Sequence, residues 1–391
     1  MKKIAYLISR FPAVSHTFIQ REIGALRKQG LEIALFSINR PDIDPAKLTE
    51  NDKALMDETF YVKEASLSTL LKGIVSAFTQ SPSRFIKTFF KALGMGFYSL
   101  FYFLEAAVIG SELNEKKIDH LHVHFANPAA TVALLIHSLF GKTYSITVHG
   151  PEEFYDVTPN HLAEKFANAK FLICISYYAQ SQVMRVIPPD SWNKLHINRM
   201  GIDPKLYAPT SKSDLPFIIV SVGRLSVSKG QPILCQAVQE LQKEGFPIQL
   251  NLIGEGPERK ILESYATPSI HLLGALNPDE VRDVLQKSSL FILSSFAEGV
   301  PVSLMEAMAT EIPCIAPGIN GIPELIIHET SGLLVYPSDI EGLKAAILRL
   351  YRSPAEREKL GKGGRQHVLE HYDLETNTQQ LVGLIHSEII K

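Results

Sequence analysis

Cysteine is scarce in this chain: Cys174, Cys235 and Cys314 are the only three in 391 residues. They lie far apart inside apolar runs, which offers no zinc site or disulfide framework and suits a reducing, cytoplasmic compartment. A basic excess is missing as well. Lys and Arg number 39 against 41 Asp and Glu, a formal net charge of −2, so nucleic-acid binding driven by a global positive field is disfavoured. No apolar run reaches the roughly eighteen uncharged residues of a membrane span. The nearest candidate, residues 92–104 (ALGMGFYSLFYFL), stops at Glu105. The apolar run before Arg10 is too short for a signal peptide and reads as a first buried strand. Charged residues are 20% and hydrophobic ones 46%, which excludes wholesale disorder. The expectation is a soluble chain of two or three domains, at roughly 150 residues each.

What is present is alternation. In the first half, strand-type runs are expected over 4–9, 32–37, 121–125, 145–148, 171–175 and 195–198. Thr17 can cap a helix whose apolar stripe is Phe18, Ile19, Ile23 and Leu26, and Gly30 can end it. Prolines and serines cluster over 204–216, a natural linker. The pattern then restarts, with strands over 217–222, 248–253, 270–273, 290–293, 313–316 and 332–335 and helices between most of them. Strand–helix alternation implies parallel sheets covered on both faces. The fold class is therefore α/β, with two doubly wound, Rossmann-like domains and a ligand expected between them near the strands' carboxyl ends. The expected division is residues 1–205 and 206–374.

Residues 45–110 break the alternation. They read as a helical insertion rich in aromatics, with Lys72, Arg84, Lys87 and Lys91 interspersed. Such a surface can lie in a bilayer interface near anionic headgroups. The alternative is that its rings are buried against their own domain.

Two constellations can carry chemistry. Ser221-Val222-Gly223-Arg224 through Lys229-Gly230 takes a strand into a glycine-containing loop with two cations. Arg224 offers a planar fork for phosphate oxygens and Lys229 a point charge. Together they can neutralise a diphosphate without a metal, although an isolated Arg–Lys pair is more often a solvated loop. The second is Glu298-Gly299-Val300-Pro301-Val302, leading into a helix that carries Glu306. Pro301 suits a first helical turn, so the backbone amides over 299–302 should be among the free donors at that helix start, which attracts anions. Glu298 sits before the helix and Glu306 about one and a half turns into it.

In order along the chain stand His149-Gly150, Arg199-Met200-Gly201-Ile202-Asp203, V-G-R-L with Lys229-Gly230, Gly254/Gly256-Pro257, the Glu298 to Glu306 spacing, and Gly332-Leu333-Leu334-Val335. This ordered set resembles the retaining glycosyltransferases of family 4, which have the GT-B fold. Phe11-Pro12 through Ile19 and His122-Val123-His124-Phe125-Ala126 are similar to the branch that builds bacterial exopolysaccharides, colanic-acid-type transferases included. The chain departs from that branch at His16, where an acid is common. It also lacks the Gly-Gly loop that many members carry after the first strand.

The resemblance implies a hexosyltransferase that uses a nucleotide-diphosphate sugar as co-substrate, with no cofactor and no metal. The acceptor would be a glycan or lipid-linked glycan, reached from the cytoplasm or from the inner-leaflet membrane surface. Arg224 and Lys229 would hold the diphosphate, with Gly254 and the Gly299, Val300, Pro301 and Val302 backbone beside it. Glu306 would bind the ribose. Glu298 would contact the sugar as nucleophile or as stabiliser, and His149 would orient it. Ser15, His16, Thr17 and His124 are acceptor-side candidates, and a C-terminal helix over 375–391 would cross back to the first domain. A nucleotide-sugar epimerase or hydrolase, or a non-catalytic binder, would share these motifs.

Other patterns fail. Gly141-Lys142-Thr143 has Ile136 where a P-loop needs its first glycine. Asp42-Ile43-Asp44 is a D-x-D between prolines and reads as a polar loop. His120, His122 and His124 alternate on a strand and share one face, but hydrogen bonding or cleft lining is the better reading than metal binding.

Overall fold

The computed structural model describes residues 3–13, 17–41, 48–209 and 216–389. The Asp42-Ile43-Asp44 loop and the acceptor-side candidates Ser15 and His16 lie outside the described residues. The chain divides into two compact units: Met1–Asn198 with Thr378–Lys391, and Arg199–Asn377.

Apolar runs too continuous for a half-exposed strand become buried parallel strands. In the first unit these are β1 (Lys3–Arg10), β2 (Glu32–Asn39), β3 (Phe60–Tyr61), β4 (His120–His124), β5 (Thr143–Val148), β6 (Phe171–Cys174) and β7 (Leu195–Ile197). Their order is β3-β2-β1-β4-β5-β6-β7, every pairing parallel. The helices are α1 (Thr17–Lys28), α2 (Glu50–Glu58), α3 (Leu67–Gln80), α4 (Pro82–Gly94), α5 (Ser99–Glu115), α6 (Pro128–Phe140), α7 (Leu162–Asn168) and α8 (Tyr177–Met184). On one sheet face, α5 and α6 bury Val108, Ile109, Leu134 and Leu135 against Leu121 and Ile146. On the other, Ile19, Ile23 and Leu26 of α1 pack with Tyr6, Leu35 and Ile173. The insertion is helical except at β3, which adds an edge strand to the sheet, and only part of it faces inward: Phe85 packs edge-on against the buried Phe103, while Phe90, Phe97 and Phe101 stay exposed.

The second unit repeats the design with β8 (Phe217–Val222), β9 (Ile248–Ile253), β10 (Ile270–Gly274), β11 (Leu290–Ile292), β12 (Cys314–Pro317) and β13 (Leu333–Val335). The order is β10-β9-β8-β11-β12-β13. Its helices are α9 (Gln231–Lys243), α10 (Arg259–Glu263), α11 (Pro278–Gln286), α12 (Val302–Ala309), α13 (Ile322–Leu325), α14 (Ile340–Arg352) and α15 (Pro354–His371), followed by α16 (Leu374–Ile389). The core joins Ile219, Leu250, Leu290 and Ile315 of the sheet to Leu234, Val238 and Ile347 of α9 and α14.

The division falls at 198/199 rather than near 205. Ile202 bridges Asp373, and its amide donates to the Tyr372 carbonyl at 3.0 Å, which ties residues 199–205 to the second unit. Helix α16 spans the second boundary, and its Leu381 and Ile385 join the α1 side of the first unit's core.

Candidate active site

In the second sheet the strand order reverses at the neighbouring β8 and β11, the place where open α/β sheets gather ligands beyond the strands' carboxyl ends. The loop leaving β8 holds Gly223 and Arg224 and runs through a 3-10 turn, Val227–Lys229, into α9. The loop leaving β11 holds Ser294, Ser295 and Glu298 and ends at α12. Backbone bonds lock the two together: the Phe296 amide donates to the Ser228 carbonyl at 2.8 Å. A third loop, after β9, closes on the first. Gly254 has φ +141, and a Cβ there would lie 2.0 Å from the Gly223 carbonyl oxygen, so only glycine fits.

This packing brings Lys229 to Glu298. The ammonium donates to Oε1 at 2.6 Å, and the Ser295 hydroxyl donates to the same oxygen at 2.7 Å. The Glu298 side chain is only 6% exposed, so its charge is held by a partner rather than by water. Arg224 is exposed and forms no ion pair among the described residues.

Helix α12 starts at Val302 with Pro301 one position outside it as N-cap (φ −73, ψ 121), and no side chain caps it. Pro301 therefore lies before the first helical turn, and it carries no N–H. The amides of Gly299, Val300 and Val302 donate no hydrogen bond among the described residues. They are available to an anion at a helix N-terminus. Glu306, the fifth residue of α12, accepts from the Tyr207 hydroxyl at 2.8 Å. Tyr207 is itself fixed: its carbonyl accepts from Arg365 at 2.6 Å, and the Arg282 guanidinium lies 5.7 Å from its ring centroid.

In the first unit the candidates gather at the ends of β4 and β5. His124 Nδ1 lies 3.1 Å from His149 Nε2, and His124 Nε2 lies 3.2 Å from Glu22 Oε1 of α1. The Tyr6 hydroxyl donates to that same Glu22 oxygen at 2.8 Å. The His149 ring rests between Phe18, at 4.9 Å between centroids, and Phe125, at 4.3 Å. Thr17 begins α1, one residue before Phe18. The loop bearing His149 is clamped by half-buried Glu153, which accepts from the amides of His149 at 2.6 Å, Gly150 at 3.0 Å and Ala126 at 2.6 Å. Burial pushes the Glu153 carboxyl up, and those three amides oppose the rise.

Glu22, His122 and His124 place potential ligand atoms within 4.8 Å of one another. His122, however, has hydroxyl neighbours at both nitrogens: Ser145 at 2.8 Å and Thr147 at 2.9 Å. Burial holds its imidazole well below the usual range, so it stays neutral within a hydrogen-bonded network.

Residues 216–353 match the family model described as glycosyl transferases group 1. WcaL of Salmonella typhimurium, a glycosyltransferase named for colanic acid biosynthesis, is 25% identical, with 98% of this chain and 99% of WcaL covered. The amylovoran biosynthesis glycosyltransferase AmsK of Erwinia amylovora is also 25% identical, over 98% of this chain and 99% of AmsK. The chain is a glycosyltransferase whose second unit resembles the group 1 glycosyl transferases. The transferase has the GT-B fold: Anabaena HepE, solved in complex with UDP-glucose, superposes with a TM-score of 0.76 at 16% identity, covering 99% of this chain and 100% of HepE. Sucrose-phosphate synthase from Thermosynechococcus elongatus gives a TM-score of 0.76 at 19% identity, covering 99% of each chain.

Some contacts of the transferase escape the sequence reading. Tyr207, Ser295, Glu22 and Glu153 all touch a candidate residue, and none stands in a motif singled out from the sequence. For Glu153 a local signal exists, since a Glu three residues after the helix-entry Gly150 can reach back to accept from its amide. Tyr207 and Glu22 meet their partners only through tertiary packing.

Proposed function

We propose that the transferase moves a hexose from a nucleotide-diphosphate sugar to a hydroxyl of a glycan or lipid-linked glycan during bacterial surface or exopolysaccharide synthesis, with retention of anomeric configuration. The names of WcaL and AmsK support the pathway, and the UDP-glucose complex of HepE supports the donor class. The observation that carries the reading is the meeting of Lys229, Glu298 and the free amides of Gly299, Val300 and Val302 at the β8/β11 edge.

In this reading Arg224 and Lys229 bind the diphosphate, and the amides before α12 take up the charge that develops as it departs. Preorganised donors of this kind are each worth roughly 3 kcal/mol of barrier. The anomeric carbon–oxygen bond to phosphate breaks, and the acceptor oxygen bonds on the same face. The acceptor proton passes to the departing phosphate oxygen. Glu298 acts as stabiliser rather than nucleophile, because its Oε1 is already held by an ammonium and a hydroxyl, which depresses nucleophilicity. Glu306, held by Tyr207, receives the ribose hydroxyls. His149 orients the sugar, while Ser15, His16, Thr17 and His124 belong to the acceptor side. The cations and amides neutralise the leaving group, so the reaction uses no metal. A lipid-linked acceptor brings the enzyme to the cytoplasmic membrane face.

Product analysis with UDP-, GDP- and ADP-sugars tests the proposal. An α-linked product from an α-configured donor, formed in the presence of chelator, is expected. Free sugar or an isomeric donor as the only product would overturn it.

A further inference from the structure

Helices α3 and α4 are packed with their small residues inward. Gly73 and Ala77 are buried on α3, and a Cβ added to Gly73 would lie 2.9 Å from the Val108 backbone of α5. On α4 the buried positions are Thr88 and Ala92. The large apolar side chains point the other way: Leu71 and Val75 of α3, Phe90 and Leu93 of α4, and Phe97 beyond it are all exposed, Phe90 by 63% and Phe97 by 71%. A soluble helix ordinarily does the reverse.

Ring contacts anchor this layer on the buried Phe103 of α5. Phe78 of α3 meets Phe85 of α4 at 5.6 Å, and Phe85 meets Phe103 of α5 at 5.2 Å. Phe89, next to Phe90, meets Phe103 at 5.7 Å. Apolar patches of this extent mark an interaction site.

Charge identifies the occupant. Residues 65–104 hold Lys72, Arg84, Lys87 and Lys91 and not one Asp or Glu. Lys72 and Lys91 pair with Glu115 and Glu164. Arg84 and Lys87 are exposed and form no ion pair among the described residues. A second copy of this chain would bring these cations against themselves across a two-fold axis, with no carboxylate in the segment to neutralise them. An anionic bilayer offers phosphates to the cations and an acyl boundary to the rings together. We infer that the exposed face of α3, α4 and the start of α5 docks on a membrane rich in anionic phospholipid. The inference stands apart from the transfer reaction, because it rests on this surface alone.

Co-sedimentation with phosphatidylglycerol-rich vesicles tests it, with phosphatidylcholine vesicles as the neutral control. Binding to the anionic vesicles that weakens with salt is expected. Each cation near such a surface is worth about fivefold in partitioning, so the Arg84→Gln/Lys87→Gln pair is expected to lower binding about 25-fold. Phe90→Ser with Phe97→Ser is expected to lower it at least about tenfold. Both rings are exposed, so folding should survive, and an unchanged melting temperature with unchanged transfer to a soluble acceptor checks that. No vesicle binding by the wild type, or binding that neither pair of substitutions reduces, overturns the inference. So does a wild-type dimer that the Phe90→Ser/Phe97→Ser variant converts to monomer with vesicle binding unaltered.

Discussion

The Lys229 ammonium donates to the Glu298 carboxylate across 2.6 Å, although 69 residues separate them in sequence. The contact sets a cation on a buried acid that directly precedes the amides of Gly299 and Val300, and on the proposed reading the same lysine also meets the diphosphate. Lys229→Met should therefore do two things. It should slow transfer by about a hundredfold, as loss of an aimed charge does. It should also lower stability by about 1–3 kcal/mol, because the buried Glu298 carboxyl loses its hydrogen-bonded partner. Adding Glu298→Gln should restore much of the stability and none of the activity, a non-additivity that denaturant melts and initial rates would read.

Glu298 and Arg224 should separate chemistry from binding. Glu298→Ala is expected to abolish transfer while leaving much of the nucleotide affinity. Arg224→Ala is expected to weaken both. Calorimetric titration of nucleoside diphosphate beside kcat measurements distinguishes them, and wild-type turnover in Glu298→Ala would refute its assignment.

The first unit makes a matching prediction. Glu22 lies against His124, and His124 against His149. Glu22→Gln should lower kcat by about tenfold with little change in donor KM, since the substitution alters how His149 is held rather than what binds the diphosphate. His149→Ala should cost more. Equal kinetics in both variants and the wild type would remove this row from the mechanism.

Stability should fall across the acid-to-neutral range because of Glu105. Burial inside α5 pushes its carboxyl up to about 7, with nearby Lys63 opposing, and its Oε2 has no hydrogen-bond partner among the described residues. A folded-state value above the unfolded one means that the native state holds the extra proton. Stability is then full below the unfolded value near 4.5 and is lost as pH rises towards about 7. Glu105→Gln should match the wild type at low pH. Above pH about 7 it should be more stable by about 2 kcal/mol, allowing for residual solvent screening. Urea melts at both ends of the range check this.

What the sequence made legible was local. Strand, loop and helix follow one another within about ten residues at Gly223–Gly230 and at Glu298–Glu306, so their order could be read from propensity and turn chemistry. The Tyr207–Glu306 and Glu22–His124 contacts span 99 and 102 residues, and no local pattern encodes them. Strand β3 was missed because two residues show no period. Helix α15 was missed because Gly361, Gly363 and Gly364 weaken helical propensity. The structure explains two of them: a Cβ on Gly361 or Gly363 would lie 2.1 Å from the carbonyl oxygen of Glu311 or Thr330. The helix is held by close packing that only a bare backbone permits.

A crystal structure of the enzyme soaked with its activated sugar tests the central claim most directly. The account predicts the diphosphate within about 3 Å of Lys229 Nζ, the Arg224 guanidinium and the Val302 amide. A diphosphate bound away from all three would contradict it.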